Sequence, residues 1–461
     1  MVARIAPGVS TFLISLFIGR LGGTALLGLT QTVTATASLA SSLYPTPAGM
    51  NASRSIASSN ARNDPARAQQ IARFLANRVL LVAFVLATGG IVYTVVAHRP
   101  DIEVALVSGL AVLSLSLRAF TEGLHFGGGE SRRLAVWSSG IATLSTVATI
   151  VLLLMGVRSI WVITPLVLLN LAFVVCSWPR RAERLTDSAT RAEISRFIRL
   201  AVVGTLSSAG FTQLAVLLAA SVNGLAYAGT YAAANTLTAP ITMLASALGS
   251  VLFPALASAH ASGSIDELRA RLSRATSQLS TLILFVCIPA LILAGPVVNL
   301  LWGASFADTA WILLFSVPAV ALGAIASPAV SAITSESNRG MAASAISSVC
   351  GASVGVIVWA CAVPFIPEIA IPLGYLTGIA IVAIIPWILA WRRFAMRWTL
   401  ESLTLLVGLS ACVVASFILQ RMHAPLWVML VTTAVALTGW TITRRRYVRD
   451  SLKMVTALRG R

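Results

Sequence analysis

The chain has 461 residues, of which 57% are hydrophobic and 10% charged, against roughly 25% charged residues in soluble globular domains. That composition excludes an ordinary soluble protein and places the chain in a bilayer. The few charges are lopsided, with 33 Lys and Arg against 15 Asp and Glu for a formal net charge of +18, yet the cations sit between apolar runs and not on one water-exposed face, which excludes nucleic acid as a partner.

A spanning helix needs about 20 apolar residues. Read with a window of about 19 residues, the sequence predicts fourteen spans, at 3–19, 26–47, 77–97, 102–124, 135–155, 160–178, 199–221, 229–252, 276–300, 309–332, 341–363, 369–391, 401–420 and 425–443. No connection between them is long enough for a soluble domain. The opening apolar run lacks a small-residue cleavage site and leads into more apolar sequence, so a span is expected there and not a removed signal peptide.

The basic residues sort by loop. Arg4, the group Arg54, Arg62, Arg67, Arg73 and Arg78, the pair Arg132 and Arg133, and the cluster from Arg180 to Arg199 all fall on alternate loops. So do Arg269, Arg271 and Arg274, then Arg339, then Arg392, Arg393 and Arg397, and finally the tail from Arg444 to Arg461. The opposite loops hold Arg20, Arg99, Arg158 and Arg421, and Arg118 lies within the fourth span. The positive-inside rule therefore places both termini in the cytoplasm and makes the number of spans even. A missed or invented span would sort the later loops wrongly, so the asymmetry supports the count.

A short pattern recurs. Gly23-x-Ala25-x-x-Gly28, between spans one and two, returns as Gly224-x-Ala226-x-x-Gly229 between spans seven and eight. Each is followed by a long span and then by a basic amphipathic segment, Asp64 to Arg78 and Asp266 to Arg274, with Arg73 and Arg274 at the same offset. An offset of six spans makes the repeats parallel, related by an axis along the membrane normal. The expected fold is thus all-α and integral to the membrane: an N-lobe over 1–185, a C-lobe over 186–397, two extra spans over 398–443 and a basic cytoplasmic tail over 444–461. Prolines are expected to interrupt the second span (Pro45, Pro47), the eighth (Pro240), the ninth (Pro289, Pro296) and the tenth (Pro318, Pro328). Broken helices are tolerated where protein or a watery cavity satisfies the freed backbone groups.

Catalytic apparatus is not visible. His98, His125, His260 and His423 are far apart and none has a second ligand at metal spacing. The five cysteines lie in or beside apolar runs without a CxxC pair and read as packing residues. No Gly-x-x-x-x-Gly-Lys-Ser/Thr loop is present. Asp101 and Glu103 form an acidic pair on an outer loop, but that loop is only a few residues long, whereas membrane glycosyltransferases generally carry a large one. The chain is expected to be no enzyme and to need no cofactor or metal.

Ionisable residues in or against the membrane are costly and mark pathways or partners. Arg118 and Glu122 stand four residues apart on the fourth span, on one helical face where they can pair. Arg20 stands at the outer end of span one and Arg54 at the inner end of span two. Guanidinium suits bidentate phosphate contacts, so Arg20, Arg54 and Arg118, with Glu122 orienting Arg118, are the candidates for holding a diphosphate. Arg118 reads equally as a snorkelling group near the membrane surface, and Arg54 as a topological anchor. Gly204, Ser207, Ser208 and Gly210 on span seven would permit close helix contact or a parting seam. No span carries a lone Asp or Glu at mid-depth, which weighs against ion-coupled drug export.

Several segments are similar to a known family: Arg20-Leu-Gly22, Arg54 before a polar stretch, Gly229-Thr-Tyr231-Ala-Ala-Ala followed by Pro240, Gly249-Ser-Val-Leu-Phe-Pro254-Ala-Leu-Ala, Leu301-Trp-Gly303-x-x-Phe306, and Ser337-Asn-Arg339-Gly. In this order they resemble the polysaccharide-exporter branch, Wzx-type flippases, of the multidrug/oligosaccharidyl-lipid/polysaccharide flippase superfamily. The resemblance implies two six-helix lobes around a cavity that opens alternately to each side of a bacterial plasma membrane. It implies as cargo an undecaprenyl-diphosphate-linked oligosaccharide, and as neighbours the membrane lipids and a polysaccharide polymerase and glycosyltransferases. Alternatives are a small-molecule or drug exporter of the same fold, and a membrane glycosyltransferase or other component of polysaccharide synthesis.

Overall fold

The structure, a computed structural model, describes residues 2–98, 101–179, 187–261, 265–336, 338–396 and 399–445, and every regular element among them is helical. Arg99, Arg180, Arg181, Arg184, Ser337, Arg397 and the basic tail from residue 446 onward lie outside the described residues. In chain order the helices are α1 (Val2–Leu43), α2 (Pro45–Ala61), α3 (Pro65–His98), α4 (Ile102–Gly127), α5 (Ser131–Leu154), α6 (Thr164–Ser177), α7 (Ser188–Thr205) and α8 (Phe211–Ala261). Then follow α9 (Ile265–Ile292), α10 (Ala294–Trp302), α11 (Thr309–Glu336), α12 (Asn338–Ala362), α13 (Pro367–Phe394), α14 (Thr399–Arg421) and α15 (Leu426–Thr443).

Twelve apolar stretches among the described residues are long enough to cross a membrane. Two of them, Pro7–Leu43 with 37 residues and Ser188–Ala245 with 58, far exceed the roughly 20 residues of one crossing. Each breaks at one glycine: Gly23 at φ 82° and ψ −178°, Gly224 at φ 85° and ψ 172°. That conformation is open to glycine and barred to residues with a Cβ. Each long helix is therefore two spans, and the fourteen predicted spans are all present in a multi-pass membrane protein.

The chain divides into two compact units, residues 1–232 and 233–461, with the division inside α8. Unit 1 is assembled by small residues. A Cβ on Gly123 of α4 would lie 2.2 Å from the carbonyl oxygen of Gly49 on α2, and one on Gly127 would lie 2.9 Å from Ser53. Only glycine lets these two backbones run so close. Next to this seam Ala48, Ala52, Ile56, Leu75, Val79, Phe120, Ile194 and Ile198 form a buried cluster that fastens α2, α3 and α4 to α7.

The repeated pattern closes on itself within unit 1. A Cβ on Gly28 would lie 1.8 Å from the carbonyl oxygen of Leu225, and one on Gly229 would lie 2.0 Å from that of Thr24. Thr24 and Leu225 occupy the same place in the two copies, so the contact is reciprocal, as a local two-fold requires.

In unit 2, α12 and α13 pack through Gly351 against Gly378 and Val382, and through Gly374 against Trp359, whose indole N–H donates to the Ile371 carbonyl at 2.9 Å, and α11 meets α13 where a Cβ on Gly323 would lie 3.3 Å from Ile379. The last two spans dock on α9. The Ser416 hydroxyl of α14 donates to the Leu291 carbonyl at 2.6 Å, and the Trp440 indole of α15 donates to the Thr281 carbonyl at 3.1 Å. Each unit also ties an arginine to the end of another helix. Arg73 on α3 donates to the Pro179 carbonyl after α6, and Arg269 on α9 to the Phe394 carbonyl ending α13. Both acceptors are among the carbonyls a helix end leaves unpaired.

The prolines behave unequally. Tyr44 separates α1 from α2, which opens on Pro45, and Leu293 separates α9 from α10 four residues after Pro289. Pro318 and Pro328 remain inside a continuous α11, and Pro240 inside α8, so neither span is interrupted there. A single π-type turn at Leu206–Gly210 joins α7 to α8. A Cβ on Gly204 beside it would meet nothing within 4 Å and Ser208 is exposed, whereas Gly210 is buried and a Cβ there would lie 3.3 Å from Leu39 of α1, so of this group Gly210 makes the close helix contact.

Candidate functional site

Arg118 stands in the second half of α4, a helix long and apolar enough to cross a membrane. Its Nε donates to Glu122 Oε1 at 2.8 Å, the pairing expected from their spacing, and its Nη1 donates to Asn170 Oδ1 at 2.6 Å. Asn170 stands on α6 and is 1% exposed; the Arg118 side chain is 18% exposed and that of Glu122 33%. An arginine this far into apolar surroundings needs both a counter-charge and acceptors for its fork of donors. Glu122 supplies the first and Asn170 shares the second, so Arg118 cross-links α4 to α6. Asn170 was not legible as a site residue, because its partner lies 52 positions away.

One turn beyond Glu122, His125 is buried and its Nδ1 shares a hydrogen with Glu130 at 2.8 Å while its ring stacks on Phe173. Arg133 reaches the same carboxylate at 3.3 Å. This lies at the arginine-rich end of α4, where Gly127 packs against Ser53 of α2, next to Arg54 and a cavity that Arg54 lines.

That cavity, about 380 Å³ in volume, opens between the end of α2, the start of α3 and the start of α7. Arg54, Arg62, Arg67 and Arg196 line it, with Asp64 and Glu193, the polar side chains Asn51, Ser55, Ser58, Ser59 and Thr190, and an apolar floor that includes Ile71 and Ile194. The floor exists because Ile194 and Ile71 also belong to the buried cluster that holds α7 down. Arg54 lies over the Phe197 ring with its guanidinium carbon 5.5 Å from the centroid. Arg67 donates to Thr190 at 2.8 Å and pairs with Asp187 at 3.6 Å. Asp187 caps α7, accepting from the Ala189 backbone N–H at 3.0 Å and from the Thr190 hydroxyl. Those hydrogen bonds, that from the Thr190 hydroxyl first, hold its carboxyl below the ordinary value of 3.8.

Of the four residues expected to share one site, the structure joins only Arg118 with Glu122. Arg54 belongs to the cavity, and the parallel register of α2 with α4 sets it level with the end of α4, roughly 15 Å along the axis from Arg118. Arg20 is exposed beside the Gly23 break, at the far end of a helix that rises roughly 30 Å between Thr24 and Leu43. One diphosphate cannot touch Arg20 and Arg54 together. Arg62, Arg67 and Arg196 were read from sequence only as topological anchors; their convergence comes from the docking of α7 on α2 and α3.

Unit 2 offers a different surface. Leu322, Ile325, Ala326, Ala383, Ile384, Trp387, Leu405, Leu406 and Leu409 line an apolar groove of about 120 Å³ between α11, α13 and α14. Among the described residues no cluster of three His, Cys, Asp or Glu side chains could hold a metal ion.

With this geometry in hand, comparison with known proteins is informative. Residues 132–311 match a family described as polysaccharide biosynthesis protein. No curated protein matches the chain significantly in sequence. The fold is similar to that of the lipid II flippase MurJ in an inward closed conformation, at 9% identity and TM-score 0.71, covering 97% of this chain and 98% of that one. It is also similar to an inward-facing multidrug resistance MATE family transporter of the MOP superfamily, at 15% identity and TM-score 0.64, covering 86% and 98%. A MOP superfamily transporter from Pyrococcus furiosus matches at 15% identity and TM-score 0.58, covering 86% and 93%. The chain has the fold of that superfamily, and the family match agrees with the resemblance to its polysaccharide-exporter branch.

Proposed function

We propose that this protein is a flippase that carries an undecaprenyl-diphosphate-linked oligosaccharide from the cytoplasmic to the outer leaflet of a bacterial plasma membrane by alternating access, with two six-helix lobes as the moving parts and the arginine-rich end facing the cytoplasm. The observation that carries this reading is the reach of the structural likeness. The lipid II flippase covers nearly the whole chain, whereas the multidrug and Pyrococcus transporters leave out a share the size of residues 398–461. Helix α14 is what a lipid-linked cargo adds to the need, since together with α11 and α13 it gives the apolar groove a wall. The polysaccharide biosynthesis match favours a glycan as the head of that cargo.

The physical task fits. A polar glycan cannot leave water for hydrocarbon without a heavy cost per unpaired polar group, so the head must pass through a polar path while the polyprenyl tail stays in lipid. Because Arg54 and Arg20 lie near opposite ends of the α1 and α2 helices, they serve as successive stations for the diphosphate. Arg118, paired to Glu122 and Asn170, keeps α4 and α6 together beside the path. Chemistry on the cargo is not part of the proposal, and neither a cofactor nor a metal is needed. A drug exporter of the same fold is the competing reading.

Depletion in a native host separates the two. The flippase reading expects lipid-linked glycan to accumulate on the cytoplasmic leaflet and surface polysaccharide to fall, with drug tolerance unchanged. Normal surface polysaccharide together with lost drug tolerance would overturn it.

A further inference from the structure

Among the described residues, the lining of the cavity between α2, α3 and α7 carries an excess of positive charge. Four guanidinium groups line it against two carboxylates, Asp64 and Glu193. Asp64 is spent in part on the Arg67 backbone N–H, from which it accepts at 2.9 Å. Among the described residues the ion pair these arginines make is Arg67 with Asp187, a carboxylate outside the lining. Arg54 rests on the face of Phe197, a contact that does not itself engage its N–H donors. An anchor that merely obeys the positive-inside rule would spread outward to lipid head groups. Here the cations converge instead on one concavity whose volume, about 380 Å³, lies within the range of small-ligand sites, about 300–1,000 Å³.

The remaining lining suits an anion of several oxygens. Asn51 is 4% exposed and lines the cavity with an amide whose Oδ1 accepts from Ser55 and whose N–H groups are donors; Ser58 and Ser59 add hydroxyls. The apolar floor lowers the local dielectric and strengthens each contact. Arginine itself is not diagnostic, since Lys453 is the one lysine in the chain. Convergence carries the argument.

We infer that this cavity is a binding site for a phosphate-bearing anion at the cytoplasmic surface, held by Arg54, Arg62 and Arg196 with Asn51, and set by the docking of α7. It deepens the proposed function by giving the cargo a first station before any lobe movement, and it rests on that reading for the identity of the anion. Two sources present the same chemistry at this surface: the diphosphate of a lipid-linked glycan, and the phosphodiester of an anionic phospholipid.

The test uses full-length protein in nanodiscs of phosphatidylcholine, titrated with inorganic pyrophosphate and followed by calorimetry. The double variant R62Q/R196Q and the single variant R54Q should each bind about tenfold or more weakly, the size of a lost charge-assisted hydrogen bond. Binding to the wild type should weaken as salt is raised. R132Q/R133Q, which removes as much charge from the same face outside the cavity, should bind as the wild type does. Equal affinity in R62Q/R196Q and wild type, or an equal loss in R132Q/R133Q, overturns the inference. Nanodiscs containing phosphatidylglycerol distinguish the sources: competition with pyrophosphate assigns the site to the phospholipid, and no competition assigns it to the diphosphate cargo. Variant-dependent pyrophosphate binding in a protein that moves no lipid-linked glycan would keep the site and remove the transport reading. Glycan transport undiminished in R62Q/R196Q would do the reverse.

Discussion

The reciprocal glycine contact gives the sharpest structural prediction. Gly28→Ala places a methyl carbon 1.8 Å from the Leu225 carbonyl oxygen, and Gly229→Ala places one 2.0 Å from that of Thr24. Ordinary contact begins near 3.4 Å, so the two helices must part by about 1.5 Å, and the obstacle is backbone that cannot rotate away. Overpacking of this kind costs about 1–3 kcal/mol. Because both methyls intrude on the same pair of backbones, parting them for one makes room for the other, and the double variant should cost clearly less than the sum of the singles. Gly140 on α5 meets nothing within 4 Å, so Gly140→Ala should be neutral or stabilise by about 0.5–1 kcal/mol through helix propensity. Thermal unfolding of purified protein in detergent reads all four variants. Melting of Gly28→Ala at the wild-type temperature, or strict additivity in the double variant, would refute the reciprocal contact.

Other outcomes follow from the same packing. Asn170→Leu should destabilise by about 1.5–3 kcal/mol, since it strips Arg118 of an acceptor where water is scarce, and Arg118→Met in the same background should recover part of that loss; no recovery would mean that the two residues act independently. Ser416→Val should loosen α14 from α9 and raise protease sensitivity after residue 398, with unit 2 otherwise intact; unchanged digestion would contradict the docking. The Asp187 cap has a defined pH sign. Its folded carboxyl titrates below the ordinary 3.8, so the contribution is complete above that value and is lost as pH falls through the lower folded value. Hydrogen exchange at residues 188–192 should therefore speed up in acid relative to the middle of α7, and a uniform response along α7 would count against the cap.

Much of the fold was legible because the bilayer imposes a length on apolar runs, and the loops between them sort by charge. The break points were legible too, as the repeated Gly23 and Gly224. Hydropathy could not see where helices continue past the hydrocarbon. The second span was read as 26–47, but α2 starts at Pro45 and runs on to Ala61 through Asn51, Arg54 and Ser58, polar residues that face a cavity. Span seven likewise begins eleven positions early, at Ser188, where Asp187 caps a polar first turn. Pro318 and Pro328 looked like breaks, yet α11 absorbs both among its neighbours. The Arg118 to Glu122 pair follows from helical spacing alone, whereas Asn170 and the convergence of Arg62 and Arg196 on Arg54 depend on helices distant in sequence coming together. A positive-inside arginine and a binding arginine have the same sequence signature, and only tertiary packing separates them.

The central claim is transport of a lipid-linked glycan. Its most direct test is purified protein in liposomes carrying a fluorescent undecaprenyl-diphosphate oligosaccharide, with accessibility to a membrane-impermeant quencher followed over time. The account predicts that the protein equalises the label between leaflets while leaving a labelled phosphatidylcholine control in place, and that Arg54→Gln slows this without lowering the amount of protein inserted. Exchange no faster than in protein-free liposomes, or equal scrambling of the control lipid, would contradict it.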